Sequence, residues 1–454
     1  MKRFVCITAA AVLLLGCRKD NVSQDSFALF DDAQLPVVTV RVSEGEWNRL
    51  LELYDSDSRT KEYVRCGVSV SMDGRTQKVT DAGLRLRGQT SRRRPEGSGG
   101  RRHTAGKTDW HHFHFGLHFN KFSDSPQQID GYRRINFKYP KEDPTYIREH
   151  YCYDLLSRYG VWTAPSSSWC RLYLHVGSDP SAAYYGVHLM VESIDRQYLR
   201  KRPEFGSSDG FLWKCAWGAN LRDYSPERFV SDTDSPDTHA YELKEDDPEL
   251  LEPAKAQMKD FIGKLNSLQG DVFRNWIGSV CDVELLLRTY AVNVAVGHWD
   301  DYWNNMNNFY LYFNSRDETR YRIYMLPYDY DNTLGTSHYC GVQSDSGRHD
   351  PYNWGLKECP LISKVLSVSE YREMYTRFLR ELGAEGNRWF GYEASLGRIT
   401  RWQDLFGPYL DNDTGEDTSL RDRPASWGNH PEYRVMQDGA SNWFRVKAGI
   451  LNSL

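Results

Sequence analysis

Two acidic clusters carry the residue types that could do chemistry. Asp300 and Asp301 sit in GHWDDYWNNMNNFYLY (297–312), and Asp329 and Asp331 sit in MLPYDYDNTLG (325–335). Asn304, Asn305, Asn307 and Asn308 share the first segment. Carboxylates brought together repel one another unless something positive joins them. A divalent cation does so, and Asp, Asn and a phosphate-bearing ligand form the oxygen donor set that Mg²⁺ or Mn²⁺ prefers. Taken without other signals, the same residues are also ordinary turn formers.

The elements around the clusters decide whether they meet. NFYLYF and YRIYMLP alternate and are separated by the polar NSRDETR, which predicts a hairpin. Such a ribbon folds the second acidic pair back beside the first, although about thirty residues separate them. Ahead of it, Val283, Leu286, Leu287, Tyr290, Ala291 and Val294 recur at i, i+3, i+4 spacing, predicting a buried helix over 282–296. A second helix is predicted over 252–268, and the tail from about residue 361 reads as helical with a Gly/Asp/Pro-rich loop near 407–431.

Upstream, strand patterns dominate. PVVTVRV (36–42) reads as a strand, and Ser43 with Glu46 three residues on is a capping-box signal for the helix EWNRLLELYD. YVRCGVSVS turns at Asp73-Gly74 and returns to GLRLRG; residues 92–108 have a loop composition. HFHFGLHF (112–119) alternates as a strand, placing His112, His114 and His118 on one face without carboxylate partners, which reads as a polar sheet face rather than a metal site. Asp143 as N-cap and Pro144 in the first turn predict a helix over 146–160, closed by Gly160. Arg148 and Glu149 on it read as a solvated face or a fold-stabilising ion pair. CRLYLHV, AYYGVHLMVE, GFLWK (210–214) and YELK (241–244) follow as strands, with a short helix after Ile194. The fold class is α+β, with a β-rich N-terminal part and a mostly helical C-terminal part.

The formal net charge of -5 with 26% charged residues gives no polybasic signal, so no nucleic-acid partner is expected. Lys2 and Arg3, an apolar run over 4–15 and Leu14-Leu15-Gly16-Cys17 form a secretory signal that resembles a bacterial lipobox. The run is too short to span a bilayer as a permanent helix. The expectation is a signal peptide over 1–17, lipid on Cys17, a polar tether over 18–35, and an extracytoplasmic protein anchored to a bacterial membrane. Seven cysteines remain besides Cys6 and Cys17, without CxxC spacing, so a structural zinc site is not expected and at least one thiol stays unpaired.

Six motifs in order resemble the spore-coat CotH kinase family: LRLRGQTS (84–91), DPTYIR (143–148), YYGVHLMVESID (184–195), FLWK (211–214), and the two acidic segments. The resemblance implies an atypical protein-kinase-like core over 36–340 with residues 341–454 as a helical extension. It implies transfer of the ATP γ-phosphoryl group to a protein hydroxyl with Mg²⁺ or Mn²⁺. Asp300 matches the family's catalytic aspartate, with Asp301 the alternative if the register slips by one. Asp329 matches the metal-binding aspartate, with Asp331 nearby. The second metal ligand is Asn305 by the His298-x-Asp300-x-x-x-x-Asn305 spacing of protein kinases, or Asn308 by the family's own pattern. Arg87, Gly88 and Ser91 can approach phosphates, because Gly admits the backbone closely and Arg offers a fork of donors. Lys214, with Glu192 as partner, is the candidate phosphate-neutralising lysine. The chain departs from the family at His112-Phe113-His114, where many members carry a lysine pair, and at Tyr328, where Trp is usual. Two rivals stand beside the kinase: a non-catalytic surface lipoprotein that binds a ligand or host partner, and a metal-dependent phosphoesterase.

Overall fold

A computed structural model describes residues 28–97, 109–140, 143–231, 239–336, 347–423 and 433–454. The expected signal peptide with Cys17, residues 18–27 of the expected tether, and Cys340 lie outside the described residues. The chain is α+β.

β1 (Val37–Val42) buries Val38, Val40 and Val42 on one face. α1 (Glu44–Ser56) begins as expected, with the Ser43 hydroxyl accepting from the Glu46 amide at 3.2 Å. β2 (Val64–Met72) and β3 (Arg75–Leu86) are joined through Asp73 and Gly74, both with positive φ (51° and 73°), the left-handed pair that a tight hairpin turn needs. β4 (Phe115–His118), β5 (Arg134–Lys138), α2 (Arg148–Arg158), β6 (Ser167–Val176) and β7 (Ala183–Glu192) follow. The seven strands close into a barrel in the order β1-β2-β3-β4-β5-β7-β6, with β1 parallel to β6 and the other pairs antiparallel. Leu84, Leu86, Phe115, Leu117, Ile135 and Phe137 fill its interior. Side chains alternate along a strand, so Arg85, Gly116, His118, Arg134, Asn136 and Lys138 turn to the outer face.

Beyond α3 (Arg196–Arg200) come β8 (Phe211–Cys215), β9 (Phe229–Ser231), β10 (Tyr241–Leu243), α4 (Leu251–Ser267), α5 (Gly270–Val280), α6 (Val283–Val296), α7 (Tyr302–Asn305), β11 (Phe309–Phe313) and β12 (Ile323–Pro327). The expected hairpin is present, and β8 joins it in a sheet of order β12-β11-β8-β10-β9. α6 is buried almost all the way round, which suits a helix at the centre of a core. α8 (Pro360–Val365), α9 (Ser369–Gly383), α10 (Tyr392–Phe406) and α11 (Trp443–Asn452) pack onto that core, with α9 and α11 against α6. Gly297 ends α6 at φ 67°, and a Cβ there would meet the Trp443 ring at 2.5 Å. Cys66, Cys152, Cys170, Cys215, Cys281 and Cys359 are buried free thiols, and no described helix is long and apolar enough to cross a membrane.

Three expectations need correction. The strand expected over 112–119 covers only Phe115–His118, because the His112 amide leaves the ladder to donate to Glu416 Oε2 at 3.0 Å. His112 and His114 form no polar sheet face: both are buried, against Tyr139. The helix expected over 146–160 starts at Arg148, because Tyr146 holds a positive φ of 63° and cannot continue it. Asp143 is therefore no N-cap, and its carboxylate instead accepts from the Thr145 and Arg148 amides, each at 3.0 Å.

Arg148 is buried rather than solvated. It pairs with Asp143, donates to Thr333 O at 3.1 Å and donates to Arg423 O at 3.0 Å. One guanidinium thus ties α2 to the segment after Asp331 and to the C-terminal tail. Arg148→Ala strands a buried carboxylate and two carbonyls, and is expected to lower stability by ~3 kcal/mol, read as a shifted urea midpoint at unchanged slope.

Candidate functional site

Residues from the outer face of β3-β4-β5, from the second sheet and from both acidic segments line a cavity of about 1130 Å³. Asp300, Asp329, Asp331, Asn305, Asn308, Arg87, Gly88, Ser91 and Lys214 all lie on its wall. The two acidic clusters therefore share one space.

Asp300 follows α6 and is ringed by amides. It accepts from Asn305 Nδ2 at 2.5 Å, Asn307 Nδ2 at 3.1 Å, Asn308 Nδ2 at 2.9 Å and Asn332 Nδ2 at 3.3 Å. Burial pushes its pKa up to about 6, against those hydrogen bonds and with help from the negative charge of Asp329. Asp301 points away. Its carboxylate caps α7 through the Asn304 amide at 2.9 Å and holds Asn293 Nδ2 at 2.9 Å, and it is not on the cavity wall. His298 is buried against Tyr330 and held neutral, its pKa pushed down to about 3 by burial.

At the end of β12, Asp329 takes a left-handed φ of 61°, as does Asn308 at 54° ahead of β11. Such conformations in non-glycine residues persist where the surroundings enforce them. Beside Asp329 stands a cation outside the motifs singled out above. Lys138, the last residue of β5, sets its Nζ 2.5 Å from Asp329 Oδ1 and 2.5 Å from Glu149 Oε2. Tyr153, one turn beyond Glu149 on α2, donates to Glu149 Oε1 at 3.0 Å and accepts from the Asp329 amide at 3.0 Å. Burial works to raise the Asp329 pKa, but Lys138 outweighs it and holds it below the usual carboxylate value. Burial and the neighbouring Asp329 together drive Asp331 well above that value.

Arg87 donates to the Tyr328 hydroxyl at 3.0 Å, so the tyrosine that departs from the family pattern anchors the arginine. Gly88 has φ 103°, and a Cβ there would meet Ser91 Oγ and the Arg92 amide at 2.9 Å. Only glycine fits that turn. Lys214 sits over the Tyr328 ring at 5.9 Å and helps to hold Asp329 ionised. Its expected partner is elsewhere: Glu192 accepts from Arg202 Nη2 at 2.7 Å and from the Ser166 amide at 3.1 Å, and is not on the cavity wall. The lysine–glutamate pair beside the acidic clusters is Lys138–Glu149, on the strand and helix that flank the DPTYIR segment.

Asp329, Asp331 and the asparagine amides offer an oxygen donor set suited to Mg²⁺ or Mn²⁺. Among the described residues no three His, Cys, Asp or Glu side chains already converge on a metal position.

Comparison with known proteins gives two matches. The family model described as "CotH kinase protein" matches residues 84–441, which takes in Arg87, Lys138, Glu149, Lys214, Asp300 and Asp329 and runs past residue 340 into the helical tail. The chain is also similar to inner spore coat protein H of Bacillus subtilis (strain 168), 24% identical over 257 residues that make up 56% of this chain and 64% of that protein. The alignment thus spans a little under two thirds of that relative's length.

Proposed function

The chain belongs to the CotH kinase protein family, and from that premise we propose that it is an atypical protein kinase, moving the γ-phosphoryl group of ATP to a protein hydroxyl. The observation that carries this reading is Lys138 bridging Glu149 and Asp329 on the wall shared with Asp300. A strand lysine paired with a helix glutamate beside a metal-binding aspartate is the arrangement by which protein kinases hold nucleotide phosphates.

Each residue then has a task. Lys138 and Arg87 neutralise phosphate charge, with Glu149 and Tyr328 fixing their positions. Asp329 and Asp331 hold the divalent ion, and the amide oxygens of Asn305 and Asn308 become available to it when those side chains rotate. When bound, that ion neutralises charge developing on the phosphates. Asp300 accepts the proton of the acceptor hydroxyl; a carboxylate whose pKa is raised toward neutrality is a better base than an ordinary one.

The test uses purified protein with labelled ATP and Mg²⁺ or Mn²⁺, beside Asp300→Ala and Asp329→Ala. Transfer that both variants abolish supports the proposal. If the wild-type protein neither transfers label nor binds ATP with metal, the site belongs to a surface ligand-binding protein.

A second readout needs no turnover. Mn²⁺ added to metal-free protein at a hundredfold excess over its Kd is expected to add about 2.7 kcal/mol at pH 7. The thermal shift shrinks as pH falls, because protons compete with the ion for the Asp331 carboxylate, whose pKa is raised by burial and by the neighbouring Asp329.

The B. subtilis relative is named for the spore coat. For this chain we propose an extracytoplasmic position, held to a bacterial membrane by lipid on Cys17. Cells fed a clickable palmitate analogue should label the protein, and Cys17→Ser should not label.

A further inference from the structure

The outer end of the cavity differs in charge from its floor. Arg85 of β3, Lys121 in the turn after β4 and Arg134 of β5 line it, and among the described residues none of the three forms a salt bridge. Lys61 and Lys244, farther round the same wall, are both matched to Glu242, at 3.2 Å and 2.8 Å. The trio, with the Asp195 carboxylate near Arg134, surrounds His118, whose pKa is held down to about 3 by burial and then by Arg134, Lys121 and Arg85.

The trio is built into the sheet. Arg85 and Lys121 both lie over the Tyr63 ring, at 5.1 Å and 5.3 Å. Gly83, paired across the ladder with His118, makes that possible: a Cβ there would meet Tyr63 Cδ1 at 2.7 Å and Lys121 Cβ at 2.8 Å. Arg85 Nε is buried without a hydrogen-bond partner, so one donor on this wall is left unused.

Arg134 and Lys138 lie on the same face of β5 four residues apart, which separates them by about 13 Å. An anion at the outer end is therefore not one of the phosphates that Lys138 holds. We propose that Arg85, Lys121 and Arg134 form a second anion subsite that takes a carboxylate or phosphate group of an acidic acceptor segment. This names the acceptor chemistry of the phosphotransfer site above and rests on that reading.

The experiment titrates an Asp-rich phosphoserine peptide, inorganic pyrophosphate, and ATP with Mg²⁺ into wild type, Lys121→Gln/Arg134→Gln and Lys138→Met. The double variant changes one exposed and one half-buried side chain and should fold normally. The expected result is peptide binding weakened roughly tenfold or more in the double variant and steeply reduced by salt, with ATP affinity within about twofold of wild type. Equal losses for ATP or pyrophosphate would assign the cations to the nucleotide's own phosphates and overturn the proposal. So would a wild-type protein that does not bind the peptide. If Lys138→Met keeps the peptide while wild type fails to bind ATP, the subsite stands and the phosphotransfer reading falls.

Discussion

Lys138→Met is expected to remove ATP-dependent transfer by roughly 10²–10³-fold and to destabilise the fold by about 3–5 kcal/mol. Both effects come from one Nζ that touches Glu149 and Asp329 at 2.5 Å. Without it two half- or fully buried carboxylates face each other across Tyr153 with no cation between them. The stability deficit has a defined pH dependence. In the wild-type protein Asp329 titrates below its ordinary value of 3.8, so its contribution is complete above that pH and is lost as pH falls through the lower folded value. In the variant the same carboxylates are raised by burial and gain stability on protonation. The gap between the two proteins should therefore narrow on acidification, measured by urea unfolding at pH 7 and pH 4. Glu149→Gln added to Lys138→Met should recover part of the stability and none of the transfer, which separates the ion-pair cost from the loss of phosphate neutralisation. An unchanged unfolding midpoint in Lys138→Met would mean that the bridge carries no net stability.

How much of this was legible in the sequence depended on whether the signal was local. The β11–β12 hairpin was, because alternation in NFYLYF and YRIYMLP and a polar connection lie within one stretch, and it brought Asp300 and Asp329 to one cavity as expected. β5 was not. RINFK offers only two inward residues, Ile135 and Phe137, and exists as a strand through pairing with β4 and β7. Missing β5 meant missing Lys138, and the search for a lysine settled on Lys214, with a glutamate that Arg202 already holds. The ion-pair alternative for Glu149 holds, but its partner was not legible for a related reason. Helical periodicity shows which residues share a face, and only the tertiary fold shows that α2 is covered on several sides, by Thr333 and Tyr330 on one and Ser395 and Phe444 on another. The signal that could have found the pair was an alternating strand ending in Lys138, followed by a helix whose first turn carries Glu149.

The adjacent aspartates 300 and 301 offer the sharpest separation of chemistry from architecture. Asp300→Ala is expected to reduce transfer by roughly 10²–10⁴-fold, the range for removal of a positioned proton acceptor. Asp301→Ala is expected instead to cost about 2–4 kcal/mol of stability, from a lost helix cap and a stranded Asn293 amide, with kcat reduced far less in whatever fraction remains folded. Asp300→Asn refines the first test. The new amide would face Asn308 and Asn332, whose side chains can turn their carbonyl oxygens toward it, so the loop keeps its packing while losing its base. The sign of the pH effect follows from the raised folded pKa of Asp300, about 6 against 3.8. The folded protein holds this proton more tightly than the unfolded chain, so the residue's contribution to stability falls as pH rises from 3.8 to about 6. In metal-free protein Asp300→Asn should flatten that slope and be no less stable than wild type at pH 7. Transfer by the wild type should rise over the same interval, as the carboxylate gains the charge it needs to accept a proton. A variant as stable as its parent and inactive at every pH assigns Asp300 to the reaction; one that loses stability and activity together returns it to the fold.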